Sequence, residues 1–125
     1  MLLFTMVFLH IIDDFFIQGM CLCDLKQKRW WLESPNYTDK YKNDYRVALY
    51  MHSFSWTFLV MLPIAYKLNW QSSLMFLICF MLNLTVHSFI DDLKANENKI
   101  NLITDQTLHL VQIIVTYVIY YYGYM

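Results

Sequence analysis

Charge is scarce in this sequence: Asp, Glu, Lys and Arg make up 15% of it, against about 25% in ordinary soluble proteins. The scarcity is uneven, with charged residues gathered in a few stretches and apolar runs between them. The net charge is only −1 and no basic stripe with interleaved stacking aromatics is present, which excludes DNA and RNA as partners. Two glycines and two prolines leave few sites for turns and breaks, and there is no internal repeat or low-complexity tract. Three cysteines are too few for a disulfide framework, and Cys21-Leu22-Cys23 is too closely spaced for a zinc knuckle. Cys21, Cys23 and Cys79 read as buried apolar residues of the segments they sit in or beside. No basic leader or small-residue cleavage site precedes the first apolar run, which is therefore expected to stay attached.

Apolar surface is what the chain has in plenty. Hydrophobic residues make up 58% of its 125 positions, above the roughly 45–50% of soluble domains. Segments 2–23, 47–67, 71–93 and 105–124 each approach the roughly 20 residues that cross a hydrocarbon core. The pattern predicts an all-α fold: one membrane domain over residues 1–125, built as a four-helix antiparallel transmembrane bundle. Pro63 removes one backbone bond near the end of the second span, which membrane helices tolerate. Tyr117, Tyr120, Tyr121, Tyr122 and Tyr124 fit an aromatic belt at the end of the fourth.

Residues 24–46 form a polar loop with Trp30, Trp31, Tyr37, Tyr41 and Tyr45 interleaved, suited to a short interfacial helix and to a protein partner. Lys67-Leu68-Asn69-Trp70 is a tight turn, and Lys94 to Thr104 a second polar connector. Eight Lys and Arg side chains fall in the first and last connections and only Lys67 in the middle one. The positive-inside rule then places a multi-pass protein in the cytoplasmic membrane, bathed in its lipid, with both termini on the non-cytoplasmic side.

All four histidines fall inside the expected spans. His10 with Asp14, His87 with Asp91, and Asp105 with His109 are four apart and share helix faces, while His52 adds an imidazole from the second span. Gln18 lies one turn beyond Asp14, and Gln106 follows Asp105. At about 1.5 Å of rise per residue, His52, His87, Asp91, Asp105 and His109 share one slab near the cytoplasmic boundary; Asp14 is deeper and His10 deepest. An aspartate near a helix centre costs about 2.5–3.5 kcal/mol to insert, so several without a purpose would erode so small a bundle.

Imidazole with carboxylate suits a divalent transition metal, zinc or manganese foremost, whereas calcium and magnesium sites are mostly oxygen. His10, Asp14, His52, His87, Asp91, Asp105 and His109 are the candidate ligands, with Gln18 and Gln106 as hydrogen-bonding support. Zinc needs about four ligands, so the surplus allows a second ion or aspartates that orient histidines.

The blocks His10-Ile11-Ile12-Asp13-Asp14-Phe15-Phe16-Ile17-Gln18, His52, His87-Ser88-Phe89-Ile90-Asp91-Asp92-Leu93-Lys94 and Asp105-Gln106-Thr107-Leu108-His109 resemble a family of small bacterial and phage membrane proteins. That family is catalogued as domain of unknown function 3307. The resemblance covers nearly the whole chain and implies Asp14 rather than Asp13, and Asp91 rather than Asp92, as the family positions. It implies no activity.

The favoured chemistry is metal-dependent hydrolysis of a lipid or lipid-linked substrate. Asp14 or Asp105 would take a proton, and Lys94, on the face of His87, would steer an anionic group. Two other classes compete: a metal or proton carrier, and a non-enzymatic phage or bacterial protein that binds a host membrane partner. The carrier needs polar residues in the outer halves of the helices, where only Ser55, Thr57 and Gln112 stand out.

Overall fold

The computed structural model describes residues 1–71 and 73–124, without the side chains of Met20 and Tyr124. Ser72 of the expected third span and the Tyr124 ring of the expected belt thus lie outside the described residues. The regular elements among the described residues are all helical: α1 (Leu2–Ile12), α2 (Gly19–Leu25), α3 (Lys28–Leu32), α4 (Asp44–Lys67), α5 (Leu74–Ala95) and α6 (Leu102–Tyr124). A π-helical turn, Asp13–Ile17, follows α1, and a 3-10 turn, Asp39–Tyr41, precedes α4. Helix α4 packs on α1 and α5, and α6 packs on α5 and α1, closing a ring.

By length and composition, the helical stretch ending at Lys67, α5 and α6 are each long and apolar enough to cross a membrane. Their outer faces carry Val47, Met51, Phe58, Met81, Phe89, Val111 and Val115, all exposed. Inside, among the described residues, thirteen polar or charged side chains are buried against ten apolar ones. That inversion of the soluble pattern leaves the outer surface to be met by something as apolar as lipid. One apolar cluster gathers Met6, Trp56, Val60, Ile64 and Ile113. Ser73 caps α5 by accepting from the Phe76 amide (3.1 Å). The turn at Asn69 and Trp70 takes left-handed backbone (φ 50° and 62°).

The expected single helix over 2–23 is not what forms. The chain widens at Asp13, where the Gln18 amide reaches back five residues to the Asp13 carbonyl (2.8 Å). It then breaks at Gly19, whose φ of +59° an L side chain rarely adopts. Two adjacent aspartates that both turn inward cannot follow an α-helical register, and the π turn absorbs the extra residue. Cys21 and Cys23 are exposed, contrary to their reading as buried, because α2 turns Leu22 and Leu25 inward instead; Cys79 is buried as expected. The loop does form a short helix, α3, with Trp31 stacked on Tyr41 (6.2 Å between ring centres).

Candidate metal centre

The four helices of the ring and the π turn bring every sequence-selected histidine and aspartate into one buried cluster. His52 and Trp56 come from α4, His87 and Asp91 from α5, Asp105 and His109 from α6, and Asp13 and Asp14 from the π turn. The imidazoles of His52 and His87 face each other, Nε2 to Nε2, at 3.2 Å. Asp91 bridges: Oδ1 is 3.2 Å from His109 Nε2 and 3.9 Å from His87 Nε2, while Oδ2 is 3.3 Å from His52 Nε2. Asp14 Oδ1 is 3.7 Å from His52 Nε2, and Asp105 Oδ1 is 3.4 Å from His109 Nε2. The rings of His87 and His109 stack at 4.2 Å.

One chain of hydrogen bonds around this cluster has a fixed direction. The indole N–H of Trp56 can only donate, and it donates to His10 Nδ1 (2.8 Å). His10 must therefore carry its proton on Nε2, where it meets Gln106 Oε1 at 3.1 Å. The Gln106 amide nitrogen then donates to Asp14 Oδ2 (3.0 Å) and Asp105 Oδ2 (3.1 Å). In this arrangement both ring nitrogens of His10 are committed, so it orients carboxylates rather than facing the cluster with a free lone pair. Gln106 supports two carboxylates at once.

Several members escaped sequence reasoning. Asp13, set aside in favour of Asp14, is fully buried, accepts from Ser55 Oγ (2.6 Å) and lies 3.5 Å from His52 Nδ1. Trp56 stacks on His87 at 4.2 Å as well as tethering His10. Ser55 and Trp56 follow His52 by three and four residues, and that spacing was the available signal. Lys26, counted with the polar loop, is buried with Nζ 2.6 Å from Asp91 Oδ2. Gln18, its amide turned to satisfy both ends, accepts from Lys26 Nζ (2.5 Å) and donates to the Asp14 carbonyl (3.1 Å) at the helix break. Lys94 Nζ meets Asp105 Oδ2 at 2.7 Å from a partly exposed side chain. Asp92 faces away and accepts from Asn96 (2.6 Å).

Two overlapping trios have donor atoms close enough to hold one ion each, Asp14–His52–His87 and His87–Asp91–His109. Seven buried side-chain atoms among the described residues have no hydrogen-bond partner, and five belong to this cluster: Asp13 Oδ2, Asp14 Oδ1, His87 Nδ1, Asp105 Oδ1 and His109 Nδ1. Buried polar atoms are paired in the great majority of cases, so the concentration marks the place as unusual.

A second polar cluster lies farther along α5 and α6, where the sequence offered only scattered residues. Asn83 Nδ2 donates to the Cys79 carbonyl (2.9 Å) and Thr116 Oγ1 (2.9 Å), while Gln112 Nε2 donates to the carbonyl (2.7 Å) and Oδ1 (2.9 Å) of Asn83.

Three helices of membrane-crossing length and apolarity around a polar interior are the make-up of a small helical membrane protein. It belongs to the family described as "Protein of unknown function (DUF3307)", whose model matches residues 2–124. No curated protein and no solved structure matches it.

Proposed function

We propose that this protein is a four-span antiparallel bundle of the cytoplasmic membrane whose His/Asp centre holds a divalent transition metal, zinc or manganese foremost, for hydrolysis of a lipid or lipid-linked phosphoester. In this reading α1, the π turn and α2 together make the first span. Residues 24–46 and the α5–α6 connection face the cytoplasm, and both termini face away from it.

The observation that carries the reading is the set of five buried atoms without a hydrogen bond in one cluster of imidazoles and carboxylates. The donor spacing fits as well. Four donors about 2.0–2.1 Å from a tetrahedral ion stand about 3.3 Å apart, and His109 Nε2 and Asp91 Oδ1 are 3.2 Å apart. His87, Asp91 and His109 would hold the ion, with His52 and Asp14 beside them. Such an ion, when bound, supplies Lewis-acid activation of water at neutral pH.

The chain's own residues do the rest. Asp105, with Oδ1 unpartnered beside His109, is placed to accept a proton. Trp56, His10 and Gln106 fix the direction in which Asp14 and Asp105 present their oxygens. Lys94, partly exposed at the edge of the cluster, is placed to draw in a phosphate anion. The carrier reading gains little from Asn83, Gln112 and Thr116, because their donors are spent on one another.

Metal analysis of detergent-purified protein after loading with Zn²⁺ tests the centre. Wild type should retain metal, and His87→Ala and His109→Ala should lose it while still inserting. Vesicles carrying phosphomonoester or phosphodiester lipids test the chemistry. Phosphoester cleavage should follow metal content across the variants, and metal-loaded wild type that cleaves neither lipid would remove the hydrolase and leave the centre.

A further inference from the structure

Lys26 is in an odd place for a lysine at the edge of a polar loop. Such side chains ordinarily lay their stems along apolar surface and keep the ammonium in water. Lys26 does the reverse: only 6% of it is exposed, and its ammonium is clamped between Asp91 Oδ2 and Gln18. The break at Gln18 and Gly19 starts α2 in a new direction, and Lys26 stands at the far end of that short helix as its C-cap.

The charges around the cluster can be counted. Four carboxylates are buried there, Asp13, Asp14, Asp91 and Asp105, and two ammonium groups pair with them, Lys26 with Asp91 and Lys94 with Asp105. Histidines that bind metal do so as neutral rings. Two negative charges remain, which one divalent ion cancels. A second ion would leave two uncompensated positive charges within the bundle, a costly state inside a membrane.

Geometry agrees with the count. The two trios that could each hold an ion share His87. Asp91 is the carboxylate placed to bridge two ions, with Oδ1 toward His109 and Oδ2 toward His52, and Lys26 already sits on Oδ2. We propose, resting on the metal-centre reading above, that Lys26 is a built-in counter-ion standing in for a second metal, so that the centre takes one divalent ion per chain.

The test uses the full chain in detergent, loaded with excess Zn²⁺, desalted, and assayed for metal per chain, rate of metal loss to a chelator, and thermal unfolding by tryptophan fluorescence. Wild type should hold one ion. Lys26→Met removes a positive charge facing the metal, so it should release the ion more slowly, by at least about tenfold. Its metal-free form should melt below wild type and recover on loading. Lys26→Arg keeps the charge and should match wild type in stoichiometry and release. Two ions per wild-type chain would overturn the proposal and leave the metal centre standing. Faster release from Lys26→Met would also overturn it, making Lys26 a residue that merely orients Asp91. No ion on wild type would remove the metal centre and this inference together. Should Lys26→Met fail to fold, the wild-type stoichiometry and Lys26→Arg decide the question.

Discussion

Two polar clusters are buried in this bundle, and they are finished differently. Around Asn83, Gln112 and Thr116 the groups are neutral and close on each other: one asparagine amide, one glutamine amide and one hydroxyl exchange hydrogen bonds, leaving only Gln112 Oε1 unmet. Around His87 the groups are charged or chargeable and five atoms stay unmet. A closed neutral network does what polar residues commonly do between membrane helices, which is to fix how the helices pack. An open ionisable one leaves donor atoms that the proposed metal would complete. Polar burial alone therefore does not mark a site; the tally of what stays unpaired does.

The comparison breaks most sharply at His87. Replacing it with alanine should lower metal affinity by more than about 100-fold, beyond the effect of losing a supporting residue, as read by chelator competition. Insertion should be unchanged, since alanine enters a bilayer at least as readily. One step out, Gln106→Leu removes the donor to Asp14 and Asp105 and should cost about 10–100-fold in the same assay. A loss as large as that of His87→Ala would make Gln106 a direct ligand.

Two changes should move stability and leave metal alone. Gly19→Ala meets no atom within 4 Å of its new Cβ, so its cost is backbone strain at φ +59°, about 1–2 kcal/mol. Thermal unfolding of the metal-free protein reads it; an unchanged midpoint would mean the break at Gly19 is not held. Asn83→Leu dissolves the closed network and should cost only about 0.6 kcal/mol. If Asn83→Leu released metal, the two clusters would be one and the contrast between them would fail.

Much of the centre was readable before the fold. Four-residue spacing paired His87 with Asp91 and Asp105 with His109; the structure buries Asp91 and leaves Asp92 half-buried against Asn96. What stayed hidden depends on departures from the regular helix. Asp13 enters because the π turn lets two neighbours face inward, and Lys26 enters because α2, started afresh at Gly19, ends beside Asp91. Neither follows from a count made at 3.6 residues per turn. Trp56 was hidden for another reason: by composition it is one more aromatic in an apolar span, and its four-residue spacing from His52 does not tell of the indole N–H it gives His10. The end of the first span was lost with the same departure, whereas α4, α5 and α6 lie within three residues of their expected bounds.

X-ray absorption at the zinc edge of the loaded, desalted protein tests the central claim most directly. The account predicts nitrogen and oxygen neighbours at about 2.0–2.1 Å, with outer-ring scattering from at least two imidazoles. Sulfur at about 2.3 Å, which only a cysteine such as the exposed Cys21 or Cys23 could supply in place of the buried histidines, would contradict it.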